Sequence, residues 1–187
     1  MIGRIPTSPP LAEKVQTHPL LFNLLMMFIG WASSSVGFQL AAIEGNISPV
    51  WPPSGFAAAA IFLGGYRLIP GILAGAFAAN SGNDITLLSA FVIAIGSTGE
   101  AAVACWFLGR IRSLGAQLGP YSIPIWILGT SLFAPMVAAT IGSLSIMHLN
   151  TYAEPLKFWH LALTWLAGDA IGILIIVPAI LSFTIPK

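Results

Sequence analysis

The chain has 187 residues, of which only 7% are charged, whereas soluble globular domains carry about 25%. The mean hydropathy of +0.90 and the 57% apolar content exclude a water-soluble domain and a disordered chain. A net charge of +1 gives no basis for nucleic-acid binding, and a single cysteine, Cys105, excludes an internal disulfide or a multi-cysteine metal site. The composition therefore predicts an integral membrane protein.

The few charges separate long uncharged stretches. Between Lys14 and Glu44 lie 29 uncharged residues, and between Arg112 and Glu154 lie 41. Because a spanning helix needs about 20 apolar residues, these stretches predict an all-α bundle of six transmembrane helices. The predicted spans are 20–43, 50–64, 68–80, 87–108, 122–147 and 158–183, between a polar N-terminal tail at 1–19 and a short C-terminal end at 184–187.

The second and third predicted spans are short and are joined by Gly65, Tyr66 and Arg67. At 1.5 Å per residue, each is roughly 20 Å long. The alternative is a re-entrant hairpin, but it would place Arg67 near the middle of the membrane, where a charge is costly. We therefore predict two short spans with Arg67 at the inner surface.

The later elements follow the same pattern. A polar turn at 81–84 precedes the fourth span, and a loop at 109–119 follows it with Arg110 and Arg112. Pro135, in the middle of the fifth span, predicts a kink. A second loop at 148–157 precedes the sixth span.

The basic residues predict the orientation of the bundle. Six crossings place both termini on one side, and the other side carries only Lys157. Since cytoplasmic loops are enriched in Lys and Arg, both termini are expected to be cytoplasmic. The residues on the basic side are Arg4, Lys14, Arg67, Arg110, Arg112 and Lys187.

Pairs of small residues at helical spacing predict close helix packing. Gly71 and Gly75 are four residues apart, as are Gly168 and Gly172. Such pairs let helix backbones approach closely. We favour packing within the chain; the alternative is that these Gly-rich faces bind another membrane protein or a second copy of the chain.

Two acidic residues fall inside predicted spans. Counting inward from the outer side, Glu100 lies about 20 Å deep and Asp169 about 17 Å deep, so the two carboxyls can meet. An acid inside the membrane is costly and marks a functional site by default. The first hypothesis is a site for a polar ligand, a cation or a proton. The alternative is a protonated acid that ties helices together through a Ser, a Thr or a backbone carbonyl. No Lys or Arg within the spans is available as a partner.

The histidines and the enzyme motifs give weaker signals. His18 lies at the entry of the first span, and His148 and His160 flank the outer loop. For the two outer histidines the hypotheses are a metal site or a pH-sensitive surface, and for the histidines in general a ligand to a pigment or haem; the alternative is that all three are ordinary interfacial residues. No metal-binding spacing and no hydrolase, phosphate-loop or zinc-protease motif is present. The sequence therefore predicts neither catalysis nor a metal site, and it identifies no cofactor.

One string of residues is distinctive. It contains Trp51, Pro52, Pro53, Ser54 and Gly55, and two prolines in a row suit the first turn of a helix. This string resembles the first class of membrane-associated sensor domain (MASE-type), found at the N-terminus of bacterial histidine kinases and diguanylate cyclases. Three further stretches resemble the same family: 67–80, 99–108 and 165–178.

The resemblance implies a bacterial inner-membrane module that senses a ligand or docks a partner, without catalysis of its own. It draws attention to Asn80, Glu100 and Asp169 beside the distinctive string. Domains of this family generally continue into a cytoplasmic output domain, whereas this sequence ends at Lys187. A fragment of a longer signalling protein and a stand-alone copy both remain open.

Three functions compete at this point. The first is a sensory module that binds a small ligand or a partner membrane protein. The second is a structural accessory subunit of a larger membrane complex. The third is a small-molecule-binding or transport subunit that uses the midplane acid pair.

Overall fold

A computed structural model of the protein describes residues 10–40, 48, 50–118, 122–149 and 158–184. Apart from short connections, these residues are helical. No strand occurs in those ranges. The helices are α1 (Pro10–Thr17), α2 (Pro19–Gln39), α3 (Pro52–Gly64), α4 (Ile69–Ser81), α5 (Leu87–Leu118), α6 (Ser122–Phe133), α7 (Pro135–Leu149) and α8 (Phe158–Thr184), with a 3₁₀ turn at Tyr66–Leu68.

Four stretches of the described chain are long and apolar enough to cross a membrane. They are Pro19–Gln39, Leu87–Arg110, Pro124–Leu149 and Phe158–Thr184. The predicted helical membrane bundle is confirmed at this level. Helices α3 and α4 are shorter, with 13 residues each.

Helices α2 and α4 lie side by side and run in the same direction. Asn23, near the start of α2, accepts a hydrogen bond from the Gly71 N–H at 2.6 Å, and Gly30, two turns further on, lies against Gly75. Helix α3 connects α2 to α4 along the chain and runs in the opposite direction. Trp51, the residue before α3, lies beside Gly37, near the end of α2. The short pair thus extends along about 14 residues of α2, roughly 21 Å.

The described basic side chains lie at one end of the bundle. The Asn23 Nδ2 donates to the Arg67 carbonyl at 3.0 Å, so Arg67 is level with the first turns of α2. Leu11 of α1 packs against the cluster that contains Leu63 and Leu108, and Lys14 and Arg110 lie within three residues of that cluster along the chain. We call this the basic end, and the opposite one, with Gly37 and Trp51, the far end. The positions predicted for Arg4, Lys157 and Lys187 lie outside the described residues.

Both glycine pairs pack inside the chain. Gly71 lies against the backbone of Asn23, and Gly75 lies against the backbone of Met27. Gly168 and Gly172 lie against the backbone that leads into α3. These four glycines therefore contact the chain itself, as favoured above, and the binding of a partner through Gly-rich faces stays a prediction.

Two predicted loop regions differ from the observed structure. The predicted loop at 109–119 is wrong, because α5 continues to Leu118. A charged residue ends a membrane span but does not end a helix, and Arg110 folds back with its guanidinium 4.6 Å from the centre of the Trp106 ring. The predicted loop at 148–157 is wrong at its first two residues, since His148 and Leu149 belong to α7, and 150–157 lie outside the described residues.

The predicted kink at Pro135 is a complete break between α6 and α7 at Ala134. Proline has no N–H to donate to the carbonyl four residues earlier, so the ladder is interrupted there. The Ala134 N–H still donates to the Thr130 carbonyl at 3.0 Å, and the Val137 N–H then donates to Ala134 at 3.2 Å. The helical hydrogen-bond ladder is therefore interrupted halfway along the fifth predicted span.

The N-terminal tail predicted at 1–19 is partly folded. Helix α1 occupies Pro10–Thr17, and its Val15 side chain is completely buried. Val15 packs beside Gly64 and Leu68, at the basic end of α3. The composition of the tail is polar, but two apolar residues four positions apart, Leu11 and Val15, give this helix one apolar face.

Replacing Val15 by asparagine is expected to detach α1 while leaving the bundle folded. A polar amide would be buried among apolar groups, at a cost of about 1–3 kcal/mol. Amide hydrogen exchange should become faster over residues 10–17 and stay unchanged in α5. The exposed Gln16→Asn variant is the matched control, and equal exchange in the two variants would show that α1 does not depend on this contact.

Candidate functional site

The start of α3 lies directly against α8. Trp51 is the residue before α3, and its N–H donates to the Gly168 carbonyl at 2.9 Å. Pro52 and Pro53 occupy the first turn, where a missing N–H leaves no hydrogen bond unmade. The distinctive string and the Gly168–Gly172 pair therefore form one contact between two helices.

Glycine makes this close approach possible. A Cβ on Gly172 would collide with the Trp51 carbonyl oxygen, and a Cβ on Gly55 would collide with the Gly172 carbonyl oxygen. A Cβ on Gly168 would collide with the carbonyl of Ser48. Because the obstacles are backbone atoms, no side-chain movement can relieve them. The two helices touch backbone to backbone, and this places the next side chain, Ser54, inside the bundle.

Ser54 joins the two intramembrane acids. Its hydroxyl lies 2.7 Å from Asp169 Oδ1 of α8 and 3.3 Å from Glu100 Oε2 of α5. The three side chains are 7%, 1% and 1% exposed, respectively. The structure thus brings Glu100 and Asp169 together. It adds Ser54 to the site, which the sequence singled out only as part of the distinctive string from Trp51 to Gly55.

The hydrogen bonds of this cluster require an additional proton. A serine hydroxyl has one hydrogen, so it can donate to only one of the two carboxyls at a time. The second contact is a hydrogen bond only if a carboxyl donates to the hydroxyl oxygen, which needs a protonated acid. Two further oxygens, Glu100 Oε1 and Asp169 Oδ2, are buried without a hydrogen-bond partner. The cluster has more acceptors than donors.

The helices around the cluster supply no positive charge at its depth. Helices α2, α3, α4, α6 and α7 contain no Lys or Arg. The nearest along α5 is Arg110, ten residues from Glu100 and so about 15 Å along the helix. Among the described residues, no group of three His, Cys, Asp or Glu side chains is placed to hold a metal ion.

A cavity of about 30 Å³ lies on the other side of Ser54. It lies between α2, α3, α4 and α5, and its polar lining comes from all four helices. Asn80 is part of that lining, and its Nδ2 donates to the Ala76 carbonyl at 2.8 Å. Asn80 therefore lines the cavity and bonds to its own helix. The polar lining residues are Ser34, Ser54, Asn80 and Ser97.

The remaining predicted candidates lie elsewhere. Trp51 covers Gly37 and meets the Phe38 ring edge-on, with 4.9 Å between the ring centres. His148 is in the last turn of α7, His160 is in the first turn of α8, and His18 precedes α2. None of these three histidines is part of the acid cluster.

Comparison with known protein families gives a match to the bundle. A family model, MASE1, matches residues 19–184 and so covers the whole bundle from α2 to α8. No curated protein and no solved structure matches the chain.

Proposed function

The chain belongs to the MASE1 family of membrane sensory domains, and on that premise we propose that it is a non-catalytic sensory module whose site is the pair Glu100 and Asp169. One observation supports this most strongly: two acids from separate helices meet on Ser54, a residue of the family string, inside the bundle. A buried acid pair without a basic partner is costly to keep, and such intramembrane groups usually serve a function.

The chemistry of the pair indicates what it binds. Two carboxyl oxygens lack any partner, and the surrounding helices carry no cation at this depth. A species that brings positive charge, such as a proton or a small cation, would complete the site. Its arrival would change how α3, α5 and α8 are held together, because each helix contributes one side chain to the cluster.

We also propose that the chain crosses the membrane six times with the basic end in the cytoplasm. The short helices α3 and α4 each extend from near one end of α2 to near its other end. This supports two short spans over a re-entrant hairpin. Arg67 lies at the level of Asn23, near one surface, and Lys14 and Arg110 lie at that same end. The enrichment of basic residues at the cytoplasmic face supports this orientation.

The alternative of a purely structural accessory subunit is less well supported. A polar cluster that only holds helices together is expected to give each of its polar atoms a hydrogen-bond partner, since a buried polar group without one costs about 1–3 kcal/mol. Glu100 Oε1 and Asp169 Oδ2 receive no hydrogen bond from a Ser, a Thr or a backbone N–H. The tie that this alternative describes therefore reaches only one oxygen of each carboxyl.

The melting temperature of the protein in lipid nanodiscs tests the proposal. We expect it to rise as the concentration of protons, sodium ions or potassium ions is increased. A bound species stabilises the folded state by up to about 2.7 kcal/mol at a hundredfold excess over its Kd. Asp169→Asn keeps the shape of the side chain but removes its charge, so this variant should lose the response.

Asp84→Asn is the matched control, because Asp84 is exposed and precedes α5. It should respond as the wild type does. The proposal is contradicted if the wild type responds to none of the three ions, or if Asp169→Asn responds as strongly as the wild type.

A further inference from the structure

The cavity beside Ser54 is polar on the side that faces the far end. Ser34 is near the end of α2, Asn80 is near the end of α4, and Trp51 precedes α3. Ser34 and Asn80 are both buried, so these polar groups face the interior of the bundle. Most of the lining is apolar, but these polar groups lie at one side of a cavity of about 30 Å³. That volume is large enough for a water molecule, which needs about 10–15 Å³ and two or more polar partners.

The opposite side of the cavity is closed by apolar residues. Met26, Ala57 and Ile72 line it there, and all three are buried. They belong to a cluster that continues through Ile61 to Leu68, beside the basic end. Water in the cavity thus has polar contacts toward the far end and a dry, packed layer toward the basic end.

Ser54 belongs to both the cavity and the acid cluster. Its side chain lines the cavity, and its hydroxyl contacts both carboxyls. A hydroxyl can accept a proton from a hydronium ion on one side while it gives its own proton to a carboxylate oxygen on the other. The hydronium ion becomes water, the carboxylate becomes a neutral carboxyl, and the serine is unchanged. Ser54 is therefore positioned to relay a proton between the cavity and the pair.

We propose that this cavity is a hydrated route by which the acid pair exchanges protons with the far side of the membrane. The inference rests on the proposed function of the pair and names the proton as the species that reaches it. The helices packed around the pair offer no competing group nearby. His160 on α8 and Arg110 on α5 are nine and ten residues from the acids, and His148 is in the last turn of α7.

Infrared difference spectroscopy measures this exchange directly. When the full chain in lipid nanodiscs is moved from H₂O to D₂O, the band of a protonated carboxyl shifts as its proton is replaced. The band is assigned to the pair by its loss or change in Glu100→Gln and Asp169→Asn. We expect rapid exchange in the wild type, and in Ser34→Leu, which fills the cavity, slower exchange by at least roughly tenfold, or about 1.4 kcal/mol on the barrier.

A second variant and a control keep the test independent of folding. Asn80→Leu is close to isosteric and removes a polar lining group, so it should also slow the exchange. Ser35→Leu is the control, since the Ser35 hydroxyl bonds its own helix at the Trp31 carbonyl (3.0 Å). The equilibrium response to pH should be unchanged in all three variants, because closing a route alters rate and not affinity.

Two results would overturn the inference. One is exchange at the wild-type rate in both Ser34→Leu and Asn80→Leu. The other is wild-type exchange as slow as global unfolding, which would mean that the pair is reached only when the bundle opens. A melting temperature that responds to sodium or potassium ions but not to pH would leave the proposed function standing and reject the proton as its ligand.

Discussion

Replacing Gly172 by leucine is expected to separate α3 from α8 and to take the acid cluster apart. The leucine Cβ would occupy the place of the Trp51 carbonyl oxygen, and the backbone cannot move aside without breaking the hydrogen bond from Trp51 to Gly168. Overpacking a well-packed contact costs about 1–3 kcal/mol and sometimes more. We expect the upper end of that range, since the obstacle here is backbone.

The free energy of unfolding in mixed micelles measures this effect. Gly129→Ala is the control, because Gly129 lies in α6 at a position where an added Cβ would meet no atom within 4 Å. Alanine is the better helix former by about 1 kcal/mol, so this variant should be as stable as the wild type or slightly more stable. Equal stability of Gly172→Leu and the wild type would show that the two helices do not pack as closely as described.

Replacing Ser54 by alanine is expected to have the second largest effect. The hydroxyl is the hydrogen-bond partner of Asp169 Oδ1 and Glu100 Oε2, so its removal leaves two more carboxyl oxygens without a partner. Leaving a buried acceptor unsatisfied costs about 1–3 kcal/mol. The same unfolding measurement should therefore report a loss of at least about 1 kcal/mol.

Ser97→Ala is the matched control for this variant. Ser97 lies on α5 one turn before Glu100 and lines the same cavity. Its removal leaves the carboxyl contacts intact, and we expect a change within about 0.5 kcal/mol. If the two alanine variants lose equal stability, the effect of Ser54 comes from cavity formation and not from the acids.

The proximity of Glu100 and Asp169 could be predicted from the sequence, whereas the role of Ser54 in joining them could not. The positions of Glu100 and Asp169 in uncharged stretches gave similar depths, and similar depth in neighbouring helices allows contact. The part played by Ser54 depends on how closely α3 approaches α8. That distance is set by Gly55 and Gly172, which are 117 residues apart in the sequence and belong to different strings. Periodicity within one helix carries no information about such a contact.

The helix ends show a similar limit. The positions of the charged residues indicate where hydrophobic stretches end, and they predicted the ends of α3, α4 and α8 to within a few residues. The same criterion wrongly ended α5 before Arg110, because a helix continues into water wherever its residues favour it. It failed again at α1, since two apolar residues in a polar tail were too weak a pattern to predict a buried Val15.

Two of the stretches that carry the family resemblance form one physical unit. Trp51 to Gly55 supply the start of α3, and Gly168 to Gly172 supply the surface that it contacts. Asp169 lies inside the second string, and Ser54 lies inside the first. Each string alone is a short pattern of small residues and prolines, but together they place a hydroxyl on a carboxyl within the membrane.

A double-mutant cycle between Ser54 and Asp169 tests the central claim most directly. Ser54→Ala, Asp169→Leu and the double variant are compared with the wild type by the free energy of unfolding in mixed micelles. Residues in direct contact show interaction energies of about 0.5–3 kcal/mol, and we expect about 1 kcal/mol or more for this pair. Additive effects, within about 0.5 kcal/mol, would contradict the claim that Ser54 and Asp169 form one site.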